Sequence, residues 1–191
     1  TLMELRQAKM LIGNVMEDLE EEGLPFNRTV AVGIMIEVPS AVIMADQFGR
    51  ETDFFSLGTN DLIQYTLAVD RNNQNVANLF SAADPAVLRL IRMVVKASKR
   101  HNVPLSVCGE MSADPIYTLL LVGLGIRGLS VTPHSIPEIK KIVRSIKISD
   151  AVSVARKVMT IDNARDAISY LRGEARKILP EFIMSAKSIL F

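Results

Sequence analysis

The ten residues AVGIMIEVPS at positions 31–40 decide the fold class of this chain. They belong to a near-continuous apolar run from Val30 to Val38, which is typical of a parallel strand buried on both faces, and Pro39-Ser40 ends it. Three further short apolar runs alternate with helical patterns, and this alternation predicts an α/β fold with a parallel sheet. The predicted strands span 30–38, 54–57, 105–108 and 127–131.

Helix signals fill the segments between and after these strands. Residues 2–22 have the apolar spacing of an amphipathic helix. The Asp-Pro pairs at 84–85 and 114–115 each predict an N-cap followed by proline at the first helical position. Ser135 and Glu138 have the spacing of a capping box. The remaining predicted helices span 41–48, begin near 62, and span 150–159 and 163–178.

Composition narrows the class of protein. The chain has 191 residues, a formal net charge of +1, one cysteine and a mean hydropathy of +0.24. This charge balance, without a basic run, excludes a nucleic-acid binder held by bulk charge. A single cysteine excludes an internal disulfide framework and favours the reducing cytoplasm. No apolar run approaches the ~20 residues that span a membrane, so we expect no membrane partner.

Polar side chains stand where the first three predicted strands end. Glu37 ends the first strand, Asn60 and Asp61 follow the second, and Cys108 ends the third. The carboxyl ends of parallel strands meet at one edge, where doubly wound sheets and (β/α)8 barrels both carry their chemistry. The carboxylates of Glu37 and Asp61, without histidine or cysteine ligands, suit a hard cation such as Mg²⁺.

Less specific interpretations of these carboxylates stay open. Glu37 could be a buried acid satisfied by backbone donors or by an arginine. The stretch 58–61 could be an ordinary turn followed by an N-cap.

Cys108 and Arg71 are further candidates, each with an ordinary alternative. A lone cysteine is usually a small buried hydrophobe, but a thiol at an apolar strand end, away from cations, keeps the proton that a general acid needs. Arg71 is a surface arginine unless its planar fork clamps a carboxylate or phosphate. We predict neither histidine as a phosphoryl carrier: the helix dipole explains His101, and His134 lies in the loop after the fourth strand.

Four motifs resemble one bacterial enzyme family. They are GIMIEVPS at 33–40, DFFSLGTNDLIQY at 53–65, AVDR at 68–71 and CGE at 108–110. They resemble the phosphoenolpyruvate-binding domain of enzyme I, the phosphoenolpyruvate-protein phosphotransferase of the bacterial sugar phosphotransferase system, or its nitrogen-related paralogue. The resemblance covers about residues 1–180.

The resemblance implies a (β/α)8 TIM-type barrel and a role for each candidate residue. Glu37 and Asp61 would hold Mg²⁺, while Asn60, Asp61 and Arg71 would contact phosphoenolpyruvate and Cys108 would be the general acid. The implied reaction is a Mg²⁺-dependent transfer of the phosphoryl group to a protein histidine, with release of pyruvate. That histidine would lie on a separate N-terminal domain and pass the group to a phosphocarrier protein. The family implies a homodimer.

The sequence departs from the family in its strand count. A complete barrel has eight strands and about 250 residues, whereas four strands are predicted here. We therefore expect residues 1–191 to be the C-terminal part of the barrel domain, with four βα units and C-terminal helices, and without the acceptor-histidine domain. Such a fragment would be inactive alone. Two alternatives are an association module without activity and a barrel of the pyruvate phosphate dikinase or phosphoenolpyruvate synthase type.

Overall fold

The computed structural model describes residues 1–178, which form a mixed α/β fold around one parallel sheet. The four strands hydrogen-bond to one another in chain order, and every neighbouring pair is parallel. Parallel neighbours need a crossover connection, which the helices supply. The predicted fold class is thus confirmed at the level of a parallel α/β sheet. The strands are β1 (Ile34–Ile36), β2 (Phe55–Gly58), β3 (Leu105–Cys108) and β4 (Gly128–Leu129).

Ten α-helices lie before, between and after the strands of the described region. One precedes β1, six lie in the three crossovers, and three follow β4. The short 3₁₀ turns Ala77–Leu79 and Pro133–Ser135 complete the connections. The helices are α1 (Leu2–Glu21), α2 (Pro39–Ile43), α3 (Ala45–Phe48), α4 (Thr59–Leu67), α5 (Pro85–His101), α6 (Glu110–Ala113), α7 (Pro115–Leu124), α8 (Ile136–Ser145), α9 (Ile148–Val158) and α10 (Ala164–Ile178).

The two Asp-Pro helix starts are confirmed. The Asp84 carboxylate accepts a hydrogen bond from the Ala86 N–H at 2.8 Å, at the start of α5. Asp114 accepts one from the Ile116 N–H at 2.9 Å, at the start of α7. In each helix proline takes the first position, where its missing N–H costs no hydrogen bond.

The capping box predicted at Ser135 is wrong. The Ser135 hydroxyl lies 3.0 Å from the Thr132 hydroxyl and makes no cap bond to α8. Ser135 already has helical backbone angles, because the 3₁₀ turn before α8 runs directly into the helix. A capping box occurs instead at the start of α1, between Thr1 and Glu4.

The two faces of the sheet have different surroundings. Four side chains on one face, at the centre of the core, are fully buried beneath the helices: Ile36, Phe55, Leu57 and Val107. The opposite face carries a row of register partners, Met35, Ser56, Ser106 and Gly128, and none of these four residues is buried by the described part of the chain. Met35 is 47% exposed. The first strand is therefore covered on one face only in the described chain, and the predicted coverage on both faces is wrong.

Several element boundaries also differ from prediction. β1 is shorter than 30–38 and lies at the edge of the described sheet, where Val32 exchanges hydrogen bonds with Asp53 instead of extending the ladder. The helix predicted at 41–48 divides at Met44 into α2 and α3. The helix predicted from 62 begins at Thr59, which places the strand-end residues inside its first turn.

No helix within the described part of the chain combines the length and the apolar character needed to cross a bilayer. Residues 179–191, the end of the predicted domain, lie outside the described residues.

Candidate functional site

Glu37 follows β1 and lies against the start of α4. Its carboxylate Oε2 is 2.9 Å from the place that a Cβ on Gly58 would take, so glycine at 58 makes room for this side chain. Glu37 is half-buried, and its carboxylate takes part in no hydrogen bond or ion pair within residues 1–178. A partly buried acid without donors is costly unless a cation neutralises it. The alternative of an acid satisfied by backbone donors or an arginine does not hold among the described residues.

The first turn of α4 contains Asn60 and Asp61. Gly58 is the N-cap, and no side chain caps the turn. The free N–H groups of such a turn attract anions, reinforced by the helix dipole. The Asp61 carboxylate lies in this turn and has no hydrogen-bond or ion-pair partner among residues 1–178. The alternative of an ordinary turn at 58–61 is wrong, because the last three of these residues are helical.

Cys108 ends β3 directly beside Gly58, its partner in the strand register. Its thiol lies 3.5 Å from the Leu57 carbonyl oxygen and 3.7 Å from the Met35 sulfur. The Ser56 hydroxyl is 3.8 Å from the sulfur. Cys108 is a free, half-buried thiol, and these contacts place it on the open face of the sheet. The ordinary interpretation, a fully buried small hydrophobe, therefore does not describe it.

Gly109 joins the ends of β2 and β3. Its φ of 99° lies in the left-handed region, and a Cβ there would stand 2.5 Å from Thr59 Oγ1 and 2.9 Å from Asn60 Oδ1. The Thr59 hydroxyl donates to the Cys108 carbonyl at 2.8 Å. The Glu110 N–H donates to Asn60 Oδ1 at 3.0 Å. These bonds fix the Asn60 side chain at the carboxyl edge of the sheet.

Arg71 reaches the same edge through the end of α4. The helix stops at Ala68, whose φ of 53° reverses the chain direction, and the Arg71 N–H then donates to Gln64 Oε1 at 3.4 Å. The guanidinium lies 3.4 Å from the Glu110 carboxylate, with Arg71 38% and Glu110 78% exposed. Such an exposed ion pair contributes little to stability. An anionic ligand could therefore take the place of the Glu110 carboxylate.

The structure brings every predicted site residue to the carboxyl edge of the sheet. Glu37 and Cys108 flank Gly58 from the two neighbouring strands, Asn60 and Asp61 follow in the first turn of α4, and Arg71 joins them through Glu110. We refer to this set as the strand-end site. Sequence reasoning did not single out residues that position it: Gly58, Thr59, Gly109 and Glu110. These four residues lie inside the GTND and CGE motifs, and that position is the feature of the sequence that could have identified them.

Ser112 is a further residue that sequence reasoning missed. It is fully buried, and its hydroxyl lies 2.7 Å from the Gly109 carbonyl and 2.6 Å from the Ser130 carbonyl. It thus ties the end of β3 to the segment after β4 and stiffens the carboxyl edge.

The two histidines take no part in the strand-end site. His101 Nε2 lies 3.1 Å from the Asp46 carboxylate, so an ion-pair partner supplements the helix dipole that we expected to explain it. Partial burial opposes ionisation of Asp46, but hydrogen bonds from His101 and Arg100 lower its pKa below the usual range. His134 contacts Thr132 at 3.4 Å, after β4.

The donor set of the strand-end site is chemically hard. Carboxylate and amide oxygens come from Glu37, Asp61 and Asn60, and residues 1–178 contain no cluster of three or more histidine, cysteine, aspartate or glutamate side chains that could enclose a metal. Mg²⁺ commonly takes only one or two protein carboxylates and completes its shell with water and substrate oxygens. The oxygen donors therefore fit Mg²⁺ and do not fit a closed zinc site.

Comparison with known proteins gives a consistent result. Residues 1–148 match the family model described as PEP-utilising enzyme, PEP-binding domain. The chain is 41% identical over 167 residues to a phosphoenolpyruvate-protein phosphotransferase of Borreliella burgdorferi, which covers 87% of this chain and 29% of that protein. It is 40% identical over 172 residues to that of Geobacillus stearothermophilus, covering 90% of this chain and 30% of the relative. The chain thus spans less than a third of the length of these relatives.

Proposed function

The chain belongs to the family of the PEP-binding domain of PEP-utilising enzymes, and on this premise we propose that its strand-end site binds phosphoenolpyruvate together with Mg²⁺. One observation carries the proposal. Glu37 and Asp61, two carboxylates without partners among the described residues, stand at the uncapped start of α4, with the Cys108 thiol on the neighbouring strand. The helix start attracts an anion, and the two carboxylates attract a cation. A site that binds Mg²⁺ and an anionic substrate together uses both features.

Glu37 and Asp61 are the proposed Mg²⁺ ligands. Their hard oxygen donors and their lack of protein partners support this role. Bound Mg²⁺ would neutralise negative charge on the phosphate and on the product that phosphoryl transfer leaves behind.

Asn60 and Arg71 are the proposed substrate contacts, with Asp61 contributing through its backbone at the start of α4. The Glu110 N–H holds the Asn60 amide in place before substrate arrives, and Gly109 leaves room for that amide, so less ordering is needed on binding. Arg71 would exchange its exposed contact with Glu110 for the carboxylate or phosphate of the substrate. The planar guanidinium fork matches either anion with two hydrogen bonds.

Cys108 is the proposed general acid. Breaking the phosphorus–oxygen bond transfers the phosphoryl group to an acceptor and leaves the enolate of pyruvate. The thiol then gives its proton to the terminal carbon of the enolate, which yields pyruvate, and the thiolate regains a proton from solvent. The contacts with Met35 and Leu57 hold the thiol on the open face, where a substrate at the strand-end site could reach it.

A full-length protein containing this chain would, as part of this proposal, be a phosphoenolpyruvate-protein phosphotransferase of the enzyme I type. Such an enzyme passes the phosphoryl group to a histidine on another domain and then to a phosphocarrier protein. The sequential strand order, without the reversal of a doubly wound sheet, supports the view that the described strands are half of a (β/α)8 barrel. The chain alone would then bind ligand without catalysing transfer.

A second candidate function is self-association. The face of α1 carries Met10, Leu11 and Val15 with more than half of each side chain exposed, beside an apolar groove of about 410 Å³. These features support a homodimer. Sedimentation of the chain over a range of concentrations tests it: the paired change Leu11→Glu and Val15→Glu should shift the chain to monomer, and an unchanged distribution would exclude this face. The other alternative, a barrel of the pyruvate phosphate dikinase or phosphoenolpyruvate synthase type, would use the same metal-binding carboxylates, Glu37 and Asp61.

Calorimetric titration tests the proposed ligand site. Phosphoenolpyruvate is added to the 191-residue chain in Mg²⁺ and in EDTA, with wild type, Glu37→Gln and Asp61→Asn. We expect saturable binding that needs Mg²⁺ and weakens by roughly tenfold or more in each variant, since each loses a charged ligand.

Glu17→Gln is the matched control, because it removes one exposed carboxylate from α1 and should leave binding unchanged. Binding that persists in EDTA, or that survives both site substitutions, would exclude the proposed metal site.

A further inference from the structure

A basic groove lies on the outer surface of the helix layer, between α5 and α9. Its volume is about 380 Å³, within the range of small-molecule sites. Four cationic side chains line it: Arg92, Lys96 and Lys99 from α5 and Arg156 from α9. Apolar side chains, among them Leu124 and Met159, also line it.

The positive side chains of this groove have no acidic partner among the described residues. None of its four cations forms an ion pair or a hydrogen bond with residues 1–178. By contrast, Arg100 in the same helix pairs with Asp46. Arg92, Lys96 and Lys99 follow one another at steps of four and three residues, so they share one face of α5, where like charges repel. An anion in the groove would relieve this repulsion.

Glycines at the end of α7 shape the groove. A Cβ on Gly123 would collide with the backbone carbonyl of Ala151 in α9, so glycine lets the two helices approach closely. Gly125 has a φ of 109°, and a Cβ there would stand 2.7 Å from Lys99 Nζ. Glycine at 123 thus keeps α7 close to α9 along one side of the groove, and glycine at 125 lets the Lys99 ammonium lie over the turn that ends α7.

The groove is distinct from the strand-end site. Lys99 lies in the last turn of α5, which leads into the start of β3, and Gly125 lies just before β4. These elements are at the amino ends of the strands, whereas the strand-end site is at their carboxyl ends. The two sites share no residue.

We propose that this groove binds a small phosphate ester with several negative charges and an apolar body, of the class of a nucleoside diphosphate. Four unpaired cations match the phosphates, and the apolar lining matches the ring system of such a ligand. The volume suits a small molecule and is too small for a helical peptide, whose diameter with side chains is about 10–12 Å.

Calorimetry with ADP and with inorganic pyrophosphate tests the proposal, since the chain has no tryptophan to report binding. We expect saturable ADP binding that weakens with added salt and is tighter than pyrophosphate binding by about threefold or more. The double variant Lys96→Ala with Arg156→Ala should weaken ADP binding by roughly tenfold or more. Glu37→Gln should leave it unchanged, which separates this site from the strand-end site.

The matched control is Lys140→Ala with Arg144→Ala, which removes two charges from another basic surface on α8. Equal loss of binding in both double variants would mean attraction by overall charge and would overturn the proposal. So would the absence of ADP binding at millimolar concentration. Equal affinity for ADP and pyrophosphate would exclude the apolar part of the ligand. Thermal unfolding followed by circular dichroism confirms that each variant is folded.

Discussion

The two faces of the sheet consist of the same short strands but differ in how far their side chains are buried. On the helix-covered face, Leu57 and Val107 are fully buried in the core. On the open face, the neighbouring positions carry Ser56 and Cys108, and Met35 beside them is 47% exposed. Side chains alternate along a strand, so one residue step separates a position that stabilises the fold from one that can contact a ligand.

This difference teaches where stability and chemistry reside. Burial of apolar side chains drives folding, so substitutions on the covered face should act through the free energy of unfolding. Substitutions on the open face and at the carboxyl edge should act through ligand binding and turnover. Three changes test that separation and a fourth tests the charge at a helix start, in order from the largest expected effect to the smallest.

Cys108→Ala in a full-length protein containing this chain should give the largest effect. Loss of a general acid lowers a rate by about 10²–10⁴-fold, so pyruvate formation should nearly stop while phosphoryl transfer to the acceptor partly survives. Quenched-flow assays of pyruvate and of phosphorylated protein measure the two steps separately. Ser106→Ala, two residues earlier on the same face, is the control and should change neither rate by much. Equal loss of both steps in the Cys108 variant would refute the acid role.

Leu57→Ala should unfold the protein more readily. Leu57 is fully buried at the centre of the covered face, and such truncations lower the free energy of unfolding by about 2–5 kcal/mol. Met35→Ala, on the open face one strand away, should cost about 1 kcal/mol or less. Urea unfolding followed by circular dichroism measures both. Similar costs for the two variants would mean that the open face is covered in solution, which would break the comparison.

Gly109→Ala should damage both the fold and the strand-end site. The left-handed backbone and the contact with Asn60 together predict a loss of about 1–3 kcal/mol in the free energy of unfolding, with weaker phosphoenolpyruvate binding. Gly173→Ala in α10, where a Cβ meets nothing within 4 Å, should instead stabilise the chain by about 0.5–1 kcal/mol. Urea unfolding and calorimetry measure the two effects. A Gly109 variant with unchanged binding would show that the Asn60 position does not matter.

Asp114→Asn should give the smallest effect, visible as a change with pH. Burial raises the pKa of the Asp114 carboxyl, despite the opposing hydrogen bond from Ile116 and the charge of Arg172. A raised folded-state pKa means that the folded protein holds this proton more tightly, so Asp114 contributes less stability as the pH rises through that pKa. Asparagine is an equally good N-cap and does not titrate.

The Asp114→Asn variant should therefore gain stability relative to wild type as the pH rises from about 4 towards neutrality. Urea midpoints at several pH values measure this difference. Parallel curves for the two proteins, or a relative loss with rising pH, would contradict the assignment.

Local patterns were enough to predict the α/β class, four parallel strands and the helix starts at Asp84 and Asp114. These signals depend on neighbouring residues: apolar runs, and an acceptor side chain before proline. The uncovered face of β1 could not be predicted in this way. An apolar run such as 30–38 reports which side chains favour burial and does not report which elements are present to bury them.

The placement of the candidate residues at one edge of the sheet was predictable, whereas the contacts that position them were less so. Glu37, Asp61 and Cys108 could be found because strand ends of a parallel sheet share one edge. The room that Gly58 leaves for Glu37 and the contact between Arg71 and Glu110 were not predictable, since they depend on strand register and on the path of the chain after α4. The register between strands that are distant in the sequence is known only once the sheet has formed.

Paramagnetic mapping tests the central claim most directly. Mn²⁺ occupies the oxygen-ligand sites of Mg²⁺ and broadens the amide resonances of nearby residues in a spectrum of the ¹⁵N-labelled chain with phosphoenolpyruvate. The account predicts that Val38, Asp61 and Gly109 broaden first and that Glu37→Gln abolishes this pattern. Broadening that begins instead at the acidic cluster around the end of the first helix, within residues 17–22, and that is unchanged by Glu37→Gln, would contradict a metal site at the carboxyl edge of the sheet.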